Sequence, residues 1–185
     1  MNDGKKKEVN GVDVMALHDT IKTLREKPEL AAFKFRATNQ WQGGTLNRSK
    51  IGAFYGAGEE HSNRPQTFEF TADEPPVLLG QDRGANPVEY LIHAAAACAT
   101  TTMIAHAAAR GIKLDEVESI IEGDIDLRGF LGLDPNVRKG YEGIRLTFRV
   151  KSDASPEQLR ELTYMSPVIN TITQPTPIDI RVEKK

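Results

Sequence analysis

The chain has 185 residues, enough for one compact domain with a short appendage, and its 24 Lys and Arg against 26 Asp and Glu leave a net charge of −2. That balance supplies no surplus for holding a polyanion by counterion release, so nucleic acid is not an expected partner. Apolar residues make up 39%, an ordinary globular share that excludes a disordered or membrane-embedded chain. The one cysteine, Cys98, excludes an intramolecular disulfide and the thiolate cages of structural zinc or iron–sulfur clusters. A reducing, cytoplasmic location follows. Met1 to Asn10 is polar, with Lys5-Lys6-Lys7, and lacks the apolar core of a secretory signal. No run of about 18 apolar residues marks a bilayer span, so no membrane partner is expected.

In chain order, Met15, Leu17, Ile21 and Leu24 recur at helical spacing and predict an amphipathic helix that stops before Pro28. The next 50 residues change period. Phe35, Ala37 and Trp41 alternate with Arg36, Thr38 and Gln40, and Phe68 and Phe70 alternate with Thr67, Glu69 and Thr71, which predicts half-buried strands. Gly43-Gly44 is a hairpin turn that would pair a strand near 34–41 with one near 45–54, giving three strands in all.

Asn86 as N-cap, Pro87 at the first helical position and Glu89 two further on predict a helix start, with Gly111 as the stop. The segment between, Val88 to Arg110, would be about 35 Å long. Its middle is Ala94-Ala95-Ala96-Ala97-Cys98-Ala99, side chains small enough for another backbone to approach closely. It reads as a central buried helix, packed by its neighbours and open to a second copy of itself.

Ile121, Ile125 and Leu127, and later Ile144, Leu146, Phe148 and Val150, alternate with charged residues and predict two strands with one wet face each. The apolar loop Phe130 to Leu133 lies between them, either lining a pocket or packing on a partner subunit. Ser155 with Gln158 opens a helix by a capping box. Ser166-Pro167 opens a shorter one, and Pro175 and Pro177 end it before a last strand, Ile178 to Val182. Strands interrupted by helices without strict alternation make an α+β fold, with residues 1–31 as a helical extension and 32–185 as the domain.

No GxGxxG, GxxxxGK[ST], HExxH, GxSxG or CxxC is present, which removes the enzyme classes those motifs carry and leaves no cofactor to expect. His18, His61, His93 and His106 lack metal-ligand spacing, so no metal is expected. Cys98 has two readings: a small buried hydrophobe in an alanine-rich helix, or a reactive thiolate, which needs a cation or donors from elsewhere in the fold.

Asn86-Pro87-Val88-Glu89-Tyr90-Leu91, then His93 to Cys98 and a helix ending in Ala-Arg-Gly-Ile (Ala109 to Ile112), closely resembles the OsmC/Ohr family of osmotically induced and organic-hydroperoxide-resistance proteins. Ser166 to Thr171 resembles that family's second motif, and Gly123 to Leu127 with Gly129 to Gly132 resembles a subgroup. The likeness covers about residues 34–183. It implies an OsmC-like fold: antiparallel sheets around a long central helix, in an intertwined homodimer.

It also implies a thiol peroxidase. A cysteine, here Cys98, attacks the terminal oxygen of a small organic hydroperoxide and becomes a sulfenic acid, which a second cysteine condenses to a disulfide. The resolving position holds Ser166, so recycling would fall to an external thiol reductant. Ser166 reads either as a helix cap or as a hydroxyl able to donate to Cys98. The family's glutamate after the proline is replaced by Val88; Glu89 either substitutes or caps. Arg48 is the candidate for the activating arginine, since Thr45 follows the double glycine, with Arg36 behind it. The alternative is a non-catalytic dimer that binds a small apolar ligand or senses redox state.

Overall fold

The computed structural model describes residues 8–174 and 176–184; Lys5 to Lys7 and Pro175 lie outside them. Contacts divide these residues into two compact units, 13–91 and 8–12 with 92–184.

In the first unit, α1 (Val14–Glu26) is capped by Asp13, whose carboxylate accepts from the Ala16 amide, and it ends before Pro28 as its apolar spacing predicts. Just before α1, β1 (Glu8–Val9) pairs with β2 (Val12–Asp13). β3 (Ala37–Gly43) turns through Gly43 and Gly44, both at positive φ, into β4 (Leu46–Ile51). β4 pairs on its other side with β7 (Phe68–Ala72). The expected antiparallel sheet is present with its three strands, and a separate two-stranded sheet is inserted between β4 and β7. A short hairpin, β5 (Phe54–Gly56) and β6 (Glu59–His61), turns at Ala57-Gly58 with φ of 51° and 85°. That conformation is the mirror-type turn that suits the twist of a hairpin.

Register decides the two faces of the sheet. Trp41 lies opposite Asn47, Asn39 opposite Ser49, and Ser49 opposite Phe70, so these share one face; Gln40, Arg48 and Thr71 share the other. The Tyr90 ring meets Phe70 edge-on at 6.1 Å and its hydroxyl donates to the Thr71 carbonyl at 2.8 Å. The first turns of the long helix α2 (Pro87–Ala109) therefore pack on the Phe70 face.

In the second unit, α2 buries Ala95, Ala99, Met103 and Ala107, a row at i, i+4 on one side of the helix. Met103 and Ala107 pack with Leu159 and Leu162 of α4 (Pro156–Thr163) and with Phe148 and Val150 of β9 (Gly143–Lys151). β8 (Glu116–Asp124) pairs antiparallel with β9 over its full length. The capping box of Ser155 and Gln158 forms in both directions, and Ser166 caps α5 (Pro167–Thr173).

Two expectations are corrected here. Leu127 does not extend the strand: Asp126 accepts from the Arg128 amide and starts a helical turn, α3 (Leu127–Phe130). Ile178 to Val182 is not a strand either; Ile178, Ile180 and Val182 are 82%, 79% and 89% exposed. A strand exists only through a neighbour's hydrogen bonds, and among the described residues this segment pairs with no strand.

By length and composition alone α2 also meets the requirement for crossing a bilayer, as core helices of soluble proteins do, and 33% of its most apolar stretch is buried. An ideal Cβ on Gly84 would lie 2.1 Å from the Thr71 carbonyl oxygen, whereas one on Gly140 meets nothing within 4 Å. Gly84→Ala should cost about 2 kcal/mol in urea unfolding, and Gly140→Ala should stay within roughly 0.5 kcal/mol.

Candidate functional site

The start of α2 is built from side chains that the sequence names. The Asn86 side-chain oxygen accepts from the Val88 amide at 2.9 Å, and Glu89 returns the favour by accepting from the Asn86 amide at 2.8 Å. Glu89 is thus committed to capping, the plainer of its two readings.

The loop before α2 hangs on a residue that sequence reading missed. Asp73 is 1% exposed. Its carboxylate accepts from the Thr45 hydroxyl at 2.6 Å and from the amides of Glu74, Gln81 and Arg83 at 2.9, 3.3 and 3.2 Å, with Arg83 Nε at 3.4 Å. One carboxylate therefore ties the β3–β4 turn to both ends of the loop 74–83. The Thr45 hydroxyl and the three amides hold this carboxyl far below the usual range, against burial, which pushes it up. No local signal announces it, because Thr45 is 28 residues away in sequence.

Arg48, the sequence's candidate cation, is exposed on β4 opposite Thr71, on the sheet face away from Tyr90. Lys50 on the same face pairs with Glu69 at 2.8 Å. Arg36, the second candidate, forms a two-pronged pair with Glu60, which explains why it is already spoken for.

Cys98 and Ser166 belong to the second unit. Cys98 is half-buried on α2, and its carbonyl accepts from the Thr101 hydroxyl at 3.1 Å. It lies beside the buried Ala95–Ala99–Met103 row rather than in it, so its thiol is not sealed in the core. Ser166 is fully buried; its hydroxyl oxygen accepts from the Ile169 amide at 3.3 Å, and its amide donates to the Thr163 carbonyl. The next residue after Cys98, Ala99, helps line a cleft of about 570 Å³ walled by Met103, Leu146, Phe148, Tyr164 and Ile169. That volume suits a small organic molecule, and the walls are mainly apolar with Arg160 and Thr163 at the edge. No group of histidine, cysteine and carboxylate side chains able to hold a metal occurs among the described residues.

The family model described as OsmC-like protein matches residues 80–181, a stretch that contains the α2 motif, Cys98 and Ser166. The fold is similar to an OsmC-like protein from Mycoplasma pneumoniae, at 19% identity and a TM-score of 0.55 over 76% of this chain and 87% of that one. It is also similar to an organic hydroperoxide resistance protein OsmC from Legionella pneumophila, at 18% identity and a TM-score of 0.53 over 77% and 90%. A third likeness is a putative osmotic stress induced and detoxification response protein from Psychrobacter arcticus, at 15% identity and 0.52 over 75% and 88%. Among curated proteins none matches.

A carboxyl whose pKa is lowered on folding stabilises the protein above its unfolded value, near 3.9, and that stabilisation is lost as pH falls below it. Wild-type stability should therefore drop steeply below about pH 4. Asp73→Asn should be less stable at pH 7 and show a shallower slope across the acid range. Denaturant titrations at a series of pH values check both, and an unchanged slope counts against the assignment.

Proposed function

The chain belongs to the OsmC-like protein family, and on that premise we propose that it is a one-cysteine thiol peroxidase acting on small organic hydroperoxides through Cys98. The reading is supported by Cys98, half-buried on α2 at the position where the resemblance puts the attacking cysteine, and by the apolar cleft that the next residue, Ala99, helps to line. The name of the Legionella neighbour supports the substrate class.

In this reaction the Cys98 thiolate attacks the terminal oxygen of the hydroperoxide. A sulfur–oxygen bond forms, the oxygen–oxygen bond breaks, and the alkoxide leaves and takes a proton to become the alcohol. Cys98 is now a sulfenic acid. Ser166 cannot condense with it, so an external thiol does, releasing water and leaving a mixed disulfide. A second equivalent of that thiol displaces Cys98 and carries the electrons away as its own disulfide. The apolar cleft favours the organic part of the substrate over hydrogen peroxide, which has no apolar surface to bury.

Thiolate formation needs a cation or donors. Arg48 is the candidate, with Glu89 committed to the helix cap. The single cysteine supports a cytoplasmic location, where external thiols are plentiful.

We further infer a homodimer. α2 is apolar around most of its circumference, yet Val88 and Leu91 are 37% and 42% exposed, and Ile178, Ile180 and Val182 stand in solvent. Exposed apolar surface on this scale marks an interface. The alternating Ile178 to Val182 segment is suited to pairing with an edge strand of a second copy, which would restore the strand its sequence predicts.

One observation favours a second reading. Ser166 is buried and engaged as a cap, as expected of a protein that keeps the fold for ligand binding or redox sensing without turnover. The two readings separate on the reactivity of Cys98. Wild type should consume cumene hydroperoxide with dithiothreitol, and Cys98→Ser should lose this activity by at least a hundredfold. Iodoacetamide should modify Cys98 faster than it modifies a simple model thiol at pH 7, and Arg48→Ala should slow that modification. A rate no faster than the model thiol's leaves the non-catalytic reading standing. Light scattering at micromolar concentration should return twice the chain mass, and deletion of residues 178–185 should reduce it.

A further inference from the structure

We propose that the loop around α3 is a wedge that docks this protein on an anionic lipid surface. Leu127, Phe130, Leu131 and Leu133 are 40%, 69%, 59% and 70% exposed within seven consecutive residues. Loops are usually polar because their backbone must meet water. This one departs from the rule in side chains and in backbone alike.

Four amides at the tip are bonded internally. The Gly129 amide donates to Asp126, Leu131 to Leu127, Gly132 to Gly129 and Leu133 to Arg128. Unpaired backbone groups are what bar irregular chain from hydrocarbon, and at this tip these four amides have already met that cost. The wedge is also rigid at its base. A Cβ on Gly129 would lie 2.2 Å from the Arg138 carbonyl oxygen, so the two stretches of loop pack backbone against backbone. Ordering the turn at a surface therefore loses little conformational entropy.

Charge decides which occupant fits. The same contact brings Arg138, followed by Lys139, to the base of the apolar tip, and both residues are exposed. The carboxylates of the stretch are engaged within it: Asp126 pairs with Arg128, and Asp134 accepts from the Asn136 amide at 2.9 Å. Four apolar side chains ahead of two cations match the layering of acyl chains under acidic headgroups. An apolar partner helix would leave the cations without a counter-charge, and a second copy as occupant is an outcome of the test below. The expectation of no membrane partner rested on the lack of a spanning run and does not reach a surface wedge. The inference is independent of the chemistry at Cys98.

The full-length protein is tested by co-sedimentation with vesicles of phosphatidylcholine alone and with about one-third phosphatidylglycerol, at two salt concentrations. Wild type should pellet with the acidic vesicles, more weakly with the neutral ones, and less at high salt. Phe130→Asp with Leu131→Asp replaces two exposed side chains, so thermal unfolding should be unchanged while vesicle binding falls at least tenfold. Arg138→Glu with Lys139→Glu should lose roughly tenfold or more on acidic vesicles and little on neutral ones. Failure of wild type to pellet, or equal pelleting by the aspartate double variant, overturns the proposal. So does a drop in solution mass for that variant, which would make a second copy the occupant.

Discussion

A helix made mostly of alanine, threonine and other small or apolar residues has no solvent face, and α2 imposes that constraint on everything around it. Within its own unit it buries one row of side chains, Ala95 to Ala107, against Leu159 and Leu162. The chain supplies cover for that row and leaves the other sides in contact with solvent. The hydrophobic effect scales with the area removed from water, so the remaining sides favour whatever can pack on small side chains. Cys98 lies beside the packed row, half-buried. Core packing and the assembly we infer thus trace to one composition.

The buried carboxylate of Asp73 solves a different problem. The stretch from Glu74 to Ala85 must leave the sheet at β7 and return to it, because Ala85 bridges to Ala72, just before the helix begins. Asp73 holds that excursion by accepting bonds from its near and far ends and from Thr45. Gly80 and Gly84 permit the backbone to fold against itself at Glu74 and Thr71. Surface pairs such as Lys50–Glu69 and Arg145–Asp124 are screened by water and contribute little by comparison.

How much was legible differs from element to element for physical reasons. The capping boxes, the Gly43-Gly44 turn and the strands from Phe68 and Gly143 were readable because each depends on residues within a few positions of one another. The motif from Asn86 to Cys98 was readable for the same reason: cap, first turn and thiol lie on one continuous helix. The β5–β6 hairpin escaped because its strands are three residues long, too short for a period to show. Leu127 was misplaced because an alternating pattern looks the same in a strand and in a capped turn until the cap forms. Glu89 had two readings in sequence, and one hydrogen bond to the Asn86 amide decided between them.

The amino-acid sequence by itself determined the α+β class, the order of the main elements, the family and the place of the lone cysteine, since these follow from local periodicity, caps and a contiguous motif. The tertiary structure decided what depends on distant partners. It brought Thr45 to Asp73 across 28 residues, set Arg48 and Tyr90 on opposite faces of one sheet, and stood Phe130 and its neighbours on a rigid turn. It also left Ile178 to Val182 without a strand partner among the described residues. An extended, alternating segment becomes a strand only when another strand accepts its hydrogen bonds, and no pattern within the segment says where that strand will come from.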